Sequence, residues 1–173
     1  LGFLCHDFSM RGMAGLDASI ISGMGHLTSF IGSETIPAID AMEEYYNADA
    51  ERELIAATVP ATEHSVMCAG GVDDELGTFK RLITETYPKG FVSIVSDTWD
   101  LWKVVTDYLP RLKDEILARD GRLVVRPDSG DPVDIICGWA KDYLDELTFE
   151  ELARPDVIGV YELLWETFGG TVN

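Results

Sequence analysis

The sequence predicts an α/β protein built from parallel βα units, and three observations carry that prediction. Short β-rich apolar runs recur along the chain, a polar loop follows each run, and a segment of helical periodicity follows each loop. About five such units of roughly 30 residues fit part of a (β/α) barrel, which takes about 250 residues when whole. The 173 residues are therefore read as one partial α/β-barrel domain, 1–173, belonging to a larger fold. A doubly wound open sheet has the same rhythm and is the competing arrangement.

The first run is Leu1–Cys5, followed by the loop His6–Gly12 and a helix from about Asp17. The second is His26–Ile31, closed by Gly32-Ser33-Glu34. In the helix Ile36–Tyr46 that follows, Ile36, Ile39, Met42 and Tyr46 keep helical spacing. Leu54–Val59 is the third run; it ends at Pro60, and Thr62-Glu63-His64 opens the next helix. Phe91–Val95 is the fourth, ending at Ser96-Asp97, before a helix with Leu101, Trp102, Val105, Tyr108 and Leu109 on one face. The fifth, Leu123–Val125, leads into a loop punctuated by Pro127 and Pro132, then a helix over Ile135–Leu147. A last helix is expected around Val157–Phe168, stopped by Gly169-Gly170.

Composition narrows the function classes. Apolar residues at 46% and charged residues at 25% are ordinary for a globular domain. A formal charge of -18 repels phosphate backbones and anionic lipid, so nucleic acid and membrane are poor partners. A phosphorylated substrate would need local Arg or Lys working against that field. The first residue is Leu1, not Met, which reads as a piece of a longer chain or a processed product. Cys5, Cys68 and Cys137 show no C-x-x-C pairing and lie in apolar stretches, which suggests buried, reduced thiols and a cytoplasmic protein.

Each expected strand ends in residues able to do chemistry: Phe8 and Arg11, Glu34, Glu63 and His64, Asp97, then Arg126 and Asp128. In parallel α/β architectures the carboxyl ends of the strands face the ligand site. Taken singly, each has a commoner structural duty: Asp97 capping a helix, Glu63 in a first helical turn, Asp128-Ser129-Gly130 forming a turn. Recurrence at every strand end favours a site.

Four ordered motifs then carry a family resemblance: His6-Asp7-Phe8 with Arg11-Gly12, Val59-Pro60-Ala61 with Glu63-His64-Ser65, Val95-Ser96-Asp97, and Arg126-Pro127-Asp128-Ser129-Gly130. From the first strand to the 130s the chain resembles nicotinamide phosphoribosyltransferases. The resemblance implies a type II phosphoribosyltransferase fold, a homodimer, and a reaction joining nicotinamide to phosphoribosyl pyrophosphate in NAD salvage. Mg2+ and ATP are implied as cofactor and coupling nucleotide. It further implies that Phe8 stacks on the pyridine ring, that Arg11 reaches the ribosyl phosphate, and that Arg126 lies beside nicotinamide and ribose. Asp128 would sit near the reacting centre. His64 would accept a phosphoryl group from ATP, with Asp97 orienting it.

The residue types suit that chemistry. As ribose C1 leaves pyrophosphate, the sugar gains positive character and the leaving group negative charge, so carboxylates and cations are wanted on opposite sides. Imidazole is nucleophilic when neutral near physiological pH. Outside this context Phe8 would be core packing and Arg126 an ion-pair partner. His6 and His26 are read as structural.

Glu34 departs from the resemblance, which commonly has aspartate where Gly32-Ser33-Glu34-Thr35 stands. The extra methylene requires the amide to sit differently or the side chain to fold back. A carboxylate there still accepts from a carboxamide NH₂ and repels nicotinate. No later Gly-rich phosphate loop, second aspartate loop or partner-subunit aromatic of the family is found. Nicotinate or quinolinate phosphoribosyltransferase is the nearest rival. A metal-dependent hydrolase using His6, Glu63, His64, Asp97 and Asp128 lacks H-x-H or H-E-x-x-H spacing, and a non-catalytic piece of a larger fold is the third alternative. No P-loop or well-placed G-x-G-x-x-G occurs.

Overall fold

In the computed structural model, which describes residues 2–139 and 147–170, short strands pair two by two and always in parallel. β1 (His6–Asp7) pairs with β2 (Gly32–Ser33), and β3 (Lys89–Val95) pairs with β4 (Asp120–Arg126). The protein is thus mixed α/β with small parallel sheets and many helices. Two compact units divide it, Leu1–Val59 and Pro60–Asn173.

In the first unit, β1 runs into a single 3-10 turn, Ser9–Gly12, and then α1 (Leu16–Leu27); β2 leads to α2 (Pro37–Tyr46). Pro37 suits the start of α2 because its missing N–H is one the first turn cannot use, and Asn47 closes the helix in the left-handed region at φ 55°. The two helices pack closely. A Cβ on Gly23 of α1 would come within 2.7 Å of the Ala38 Cβ on α2, so only glycine fits there. Leu27, Ala38, Met42 and Ile55 form the core of this unit.

The second unit begins with α3 (His64–Cys68) and α4 (Glu75–Arg81), which runs on into a π-helical turn, Leu82–Thr86. After β3 come α5 (Leu101–Lys103), a second π-helical turn at Val104–Tyr108, α6 (Leu109–Arg111) and α7 (Lys113–Leu117). Pro110 cannot donate to the preceding turn, and the helix widens just before it. Beyond β4 lie α8 (Pro132–Cys137), α9 (Phe149–Leu152), α10 (Pro155–Ile158) and α11 (Val160–Phe168). Val92, Ile94 and Val95 of β3 are buried together with Phe79, Ile83, Val104 and Leu109. Consecutive residues of β3 are buried on both faces, as in a strand covered by helices on either side. Leu101, Val105, Val160 and Leu163 make a second cluster.

Three of the expected strands are corrected. Leu1 of the run Leu1–Cys5 lies outside the described residues; the rest is turn, and the strand is the next pair, His6–Asp7. The run His26–Ile31 begins inside α1, and its strand is again shifted, to Gly32–Ser33. Leu54–Val59 forms no strand. Ala57 bridges to Gly32 and Ala61 to Ser93, with Pro60, which has no N–H to donate, between the two bridges. None of the three runs is buried throughout, since Phe3, Leu4 and Leu54 are exposed and only Leu27 and Ile55 are buried; the ladder forms where a partner backbone is available. The last helix is cut at Gly159, whose φ of +89° separates α10 from α11. Of the helix expected over Ile135–Leu147, Ile135–Cys137 falls in α8, and 140–146 lie outside the described residues. Cys5 and Cys68 are exposed and Cys137 is half-buried, all as free thiols, so the expectation of buried thiols is wrong. No helix among the described residues is long and apolar enough to cross a membrane.

Candidate functional site

The two units carry separate sets of the expected residues. In the first, Phe8, Met10, Arg11, Glu34 and Thr35 line a cavity of about 400 Å³. Asp7 builds its frame. The Asp7 carboxylate is buried, accepts the Ser9 N–H at 2.9 Å and the Thr35 hydroxyl at 2.7 Å, and the Asp7 carbonyl accepts the Glu34 N–H at 3.0 Å. One residue thus holds both the loop bearing Phe8 and Arg11 and the strand end bearing Glu34. Burial pushes the Asp7 carboxyl upward, but the bonds from Ser9 and Thr35 outweigh it and leave it below its ordinary value. Phe8 is 36% exposed and therefore not core; its ring lies 4.5 Å from that of His6 at 31°. His26 serves structure, as expected: its Nε2 lies 2.7 Å from the Gly32 carbonyl oxygen.

In the second unit, sheet register brings the acids together. Val95 of β3 pairs with Arg126 of β4, so Asp97 and Asp128 follow two residues beyond the same rung of a parallel ladder. Asp97 Oδ2 accepts from the Asp128 N–H at 2.9 Å and the Ser129 hydroxyl at 2.5 Å. Asp97 does not cap the following helix; Asp100 does, accepting from the Lys103 N–H. The segment before α3 pairs with β3 on its other edge, through the Thr62 N–H to the Ser93 carbonyl at 2.9 Å, and this places His64 near the same strand ends.

His64 is held between two carboxylates. Its Nε2 lies 3.3 Å from Asp97 Oδ1 and its Nδ1 lies 3.9 Å from Asp128 Oδ2. The Asp97 side chain is 7% exposed against 45% for His64. The 3.3 Å approach does not reach hydrogen-bond alignment, so Asp97 Oδ1 is a buried acceptor with no hydrogen-bond donor among the described residues. Burial raises the Asp97 carboxyl, but Ser129, the Asp128 N–H and the His64 charge together win, and it stays below its ordinary value. Arg126 donates to the Thr62 carbonyl at 2.9 Å and lies 3.7 Å from Glu63.

These contacts define two arrangements: an aromatic face with a cation and a carboxylate in one unit, and an imidazole between two carboxylates in the other. Because the two acids approach opposite ring nitrogens, His64 and both acids do not converge on one point as metal ligands would. The profile of the nicotinate phosphoribosyltransferase (NAPRTase) family matches residues 3–173. The chain belongs to that family. A nicotinamide phosphoribosyltransferase of Acinetobacter baylyi is 51% identical over 172 residues, covering 96% of this chain and 32% of that protein. One of Mycoplasma pneumoniae is 40% identical over 172 residues, covering 99% of this chain and 33% of that protein. The chain therefore spans about a third of the length of the curated relatives it matches.

Family membership gives the motif residues a common context without assigning their roles. Three residues that shape the sites carry no mark of function in the sequence: Asp7, Ser129 and Thr58. The first two stand inside the motifs next to Phe8 and Asp128, so adjacency is the signal that could have found them. Thr58 precedes the second motif, and nothing in its type marks it.

Proposed function

We propose that the protein to which this chain belongs is a nicotinamide phosphoribosyltransferase, forming nicotinamide mononucleotide and pyrophosphate from nicotinamide and phosphoribosyl pyrophosphate. The observation that carries the reading is Glu34 in one cavity with Phe8 and Arg11. A flat, electron-poor ring wants an aromatic face, and a carboxamide NH₂ wants an acceptor. A carboxylate meets nicotinate, by contrast, with like charge. The relatives that carry the name nicotinamide phosphoribosyltransferase support the same choice.

In this reading Phe8 stacks on the base, Arg11 takes the ribosyl phosphate, and Arg126 steadies nicotinamide and ribose. The pyridine nitrogen lone pair forms the bond to ribose C1 as the C1–oxygen bond breaks and pyrophosphate departs with that electron pair. Asp128 faces the positive charge that grows on the sugar. His64 is the acceptor for a phosphoryl group of ATP: a ring nitrogen attacks the terminal phosphorus, ADP leaves, and Asp97 orients the imidazole. Mg2+ fits as an ion held mainly by substrate phosphates, with Asp128 as a carboxylate this chain could add. The parallel sheets are read as part of a (β/α) barrel of the type II fold, the active form as a homodimer and the setting as cytoplasmic.

Competition between nicotinamide and nicotinate on the full-length gene product tests the reading. Glu34→Gln removes the repulsion and keeps an acceptor, so the specificity ratio should shrink about tenfold, as expected for loss of a charge-assisted bond. Glu34→Asp should keep the preference. An unaltered ratio in Glu34→Gln would return Glu34 to a structural role.

A further inference from the structure

The first unit contains a hydrogen-bonded link that the scheme above leaves without a task. Thr58 Oγ1 lies 3.2 Å from Glu34 Oε1, 3.5 Å from His6 Nε2 and 3.4 Å from the Val59 carbonyl oxygen. A hydroxyl has one proton to donate. The carboxylate is the nearest of the three and the only charged acceptor among them, so the proton goes to Glu34. A lone pair on Thr58 Oγ1 is then left to accept from His6 Nε2–H, which leaves His6 Nδ1 without a proton. Burial holds the His6 imidazole below its ordinary value, with Glu34 pulling the other way, consistent with a neutral ring in this role. The same His6 ring lies against Phe8. The link therefore runs Phe8–His6–Thr58–Glu34 and begins and ends on residues that line the cavity.

We propose that Thr58 is a positioning residue for base selection: its hydroxyl occupies one oxygen of Glu34 and leaves the other to receive the carboxamide NH₂, while His6 fixes the hydroxyl rotor. The proposal rests on the reading of Glu34 as the carboxamide acceptor. Its physical reason is the extra methylene. Glutamate has one more rotatable bond than aspartate, and at this exposed position a free side chain would have to be ordered each time the base binds. A threonine hydroxyl within reach removes that cost in advance. It also answers how Glu34 is accommodated: the side chain is tied to Thr58.

The test measures the nicotinamide-to-nicotinate ratio of kcat/KM in the full-length protein, with Thr58→Val and Thr58→Ser beside the parent. Thr58→Val keeps the shape and removes the hydroxyl. It should raise KM for nicotinamide and lower the ratio about five- to tenfold, the effect of one ordinary hydrogen bond, with kcat within about twofold. Thr58→Ser restores the hydroxyl and should restore the ratio. In a Glu34→Asp background, where the shorter acid has less freedom to restrain, Thr58→Val should change the ratio less than in the parent. A parent that discriminates, with a Thr58→Val ratio within twofold of it, overturns the proposal alone. So does a loss in kcat that serine fails to rescue. A parent that turns over neither base overturns the underlying reading and this proposal together.

Discussion

Asp128→Asn in the full-length protein should lower the turnover number by on the order of a hundredfold while leaving both Michaelis constants within a few-fold. The expectation comes from where the fold spends its hydrogen bonds. The loop after β4 is anchored by backbone and neighbours: the Asp128 N–H and Ser129 hydroxyl bind Asp97, Gly130 turns with φ +85°, and the Asp131 side chain caps α8. None of these anchors uses the Asp128 carboxylate, which is 48% exposed and whose neighbour is the His64 ring. Replacing the charge with an amide therefore leaves the loop in place. On the proposed function, what is lost is a negative group facing a sugar that becomes cationic only as C1 parts from pyrophosphate, and one such contact contributes about 3 kcal/mol to the transition state. Steady-state kinetics over both substrates decides it. A raised Michaelis constant with unchanged turnover would make Asp128 a ribose-binding residue and no more.

That separation between anchoring and reacting groups also explains which parts of the protein are legible in the sequence. The helices are legible because their apolar positions repeat, as at Ile39 and Met42 of α2, and because caps such as Gly169 announce their ends. β3 is legible because Val92, Ile94 and Val95 are buried. The first two strands are displaced from their apolar runs because a two-residue strand has too few side chains to show a period; its position depends on a partner backbone far along the chain. The run 54–59 fails because its apolar character does not produce a buried strand, Leu54 being exposed and Ile55 alone buried, and because Pro60 forbids a continuous ladder. At the sites, the motifs point to the charged and aromatic groups, and the structure brings His64, Asp97 and Asp128 together while Phe8, Arg11 and Glu34 share a cavity. Of the supporting hydroxyls, Thr35 and Ser129 are marked only by standing beside Glu34 and Asp128, and Thr58 by nothing. A threonine or serine that holds a carboxylate has the same identity as one on a surface, and only distance separates the cases.

Asp97→Asn should abolish ATP-driven enhancement of the reaction while lowering ATP-independent transfer by less than about tenfold. Asp97 does two jobs with two oxygens. Oδ2 accepts from the Asp128 N–H and the Ser129 hydroxyl, and Oδ1 faces His64 Nε2 at 3.3 Å. An asparagine carbonyl can keep the first job, because either bond needs only an acceptor. Its NH₂ then takes the place of Oδ1 and presents donors to His64 Nε2. An Nε2 that faces this NH₂ is favoured without its proton, as the Nδ1–H tautomer, the reverse of the one a carboxylate favours. In a serine protease, the same substitution beside the catalytic histidine costs about 10⁴ in turnover for this reason. Loss of the charge also removes the field that would stabilise a cationic or phosphorylated imidazole beside a buried carboxylate. The variant should change the pH response of stability as well. Asp97 is depressed in the folded state, so its contribution is present above its ordinary value of 3.8 and is lost as pH falls through the lower folded-state value. Asparagine has no such group, so the part of the acid-side loss of stability due to Asp97 should disappear. Phosphohistidine trapped with labelled ATP, measured beside basal nicotinamide mononucleotide formation, separates the two jobs. If phosphohistidine forms normally in Asp97→Asn while basal transfer collapses, Asp97 serves the Asp128 loop and has no part in orienting His64.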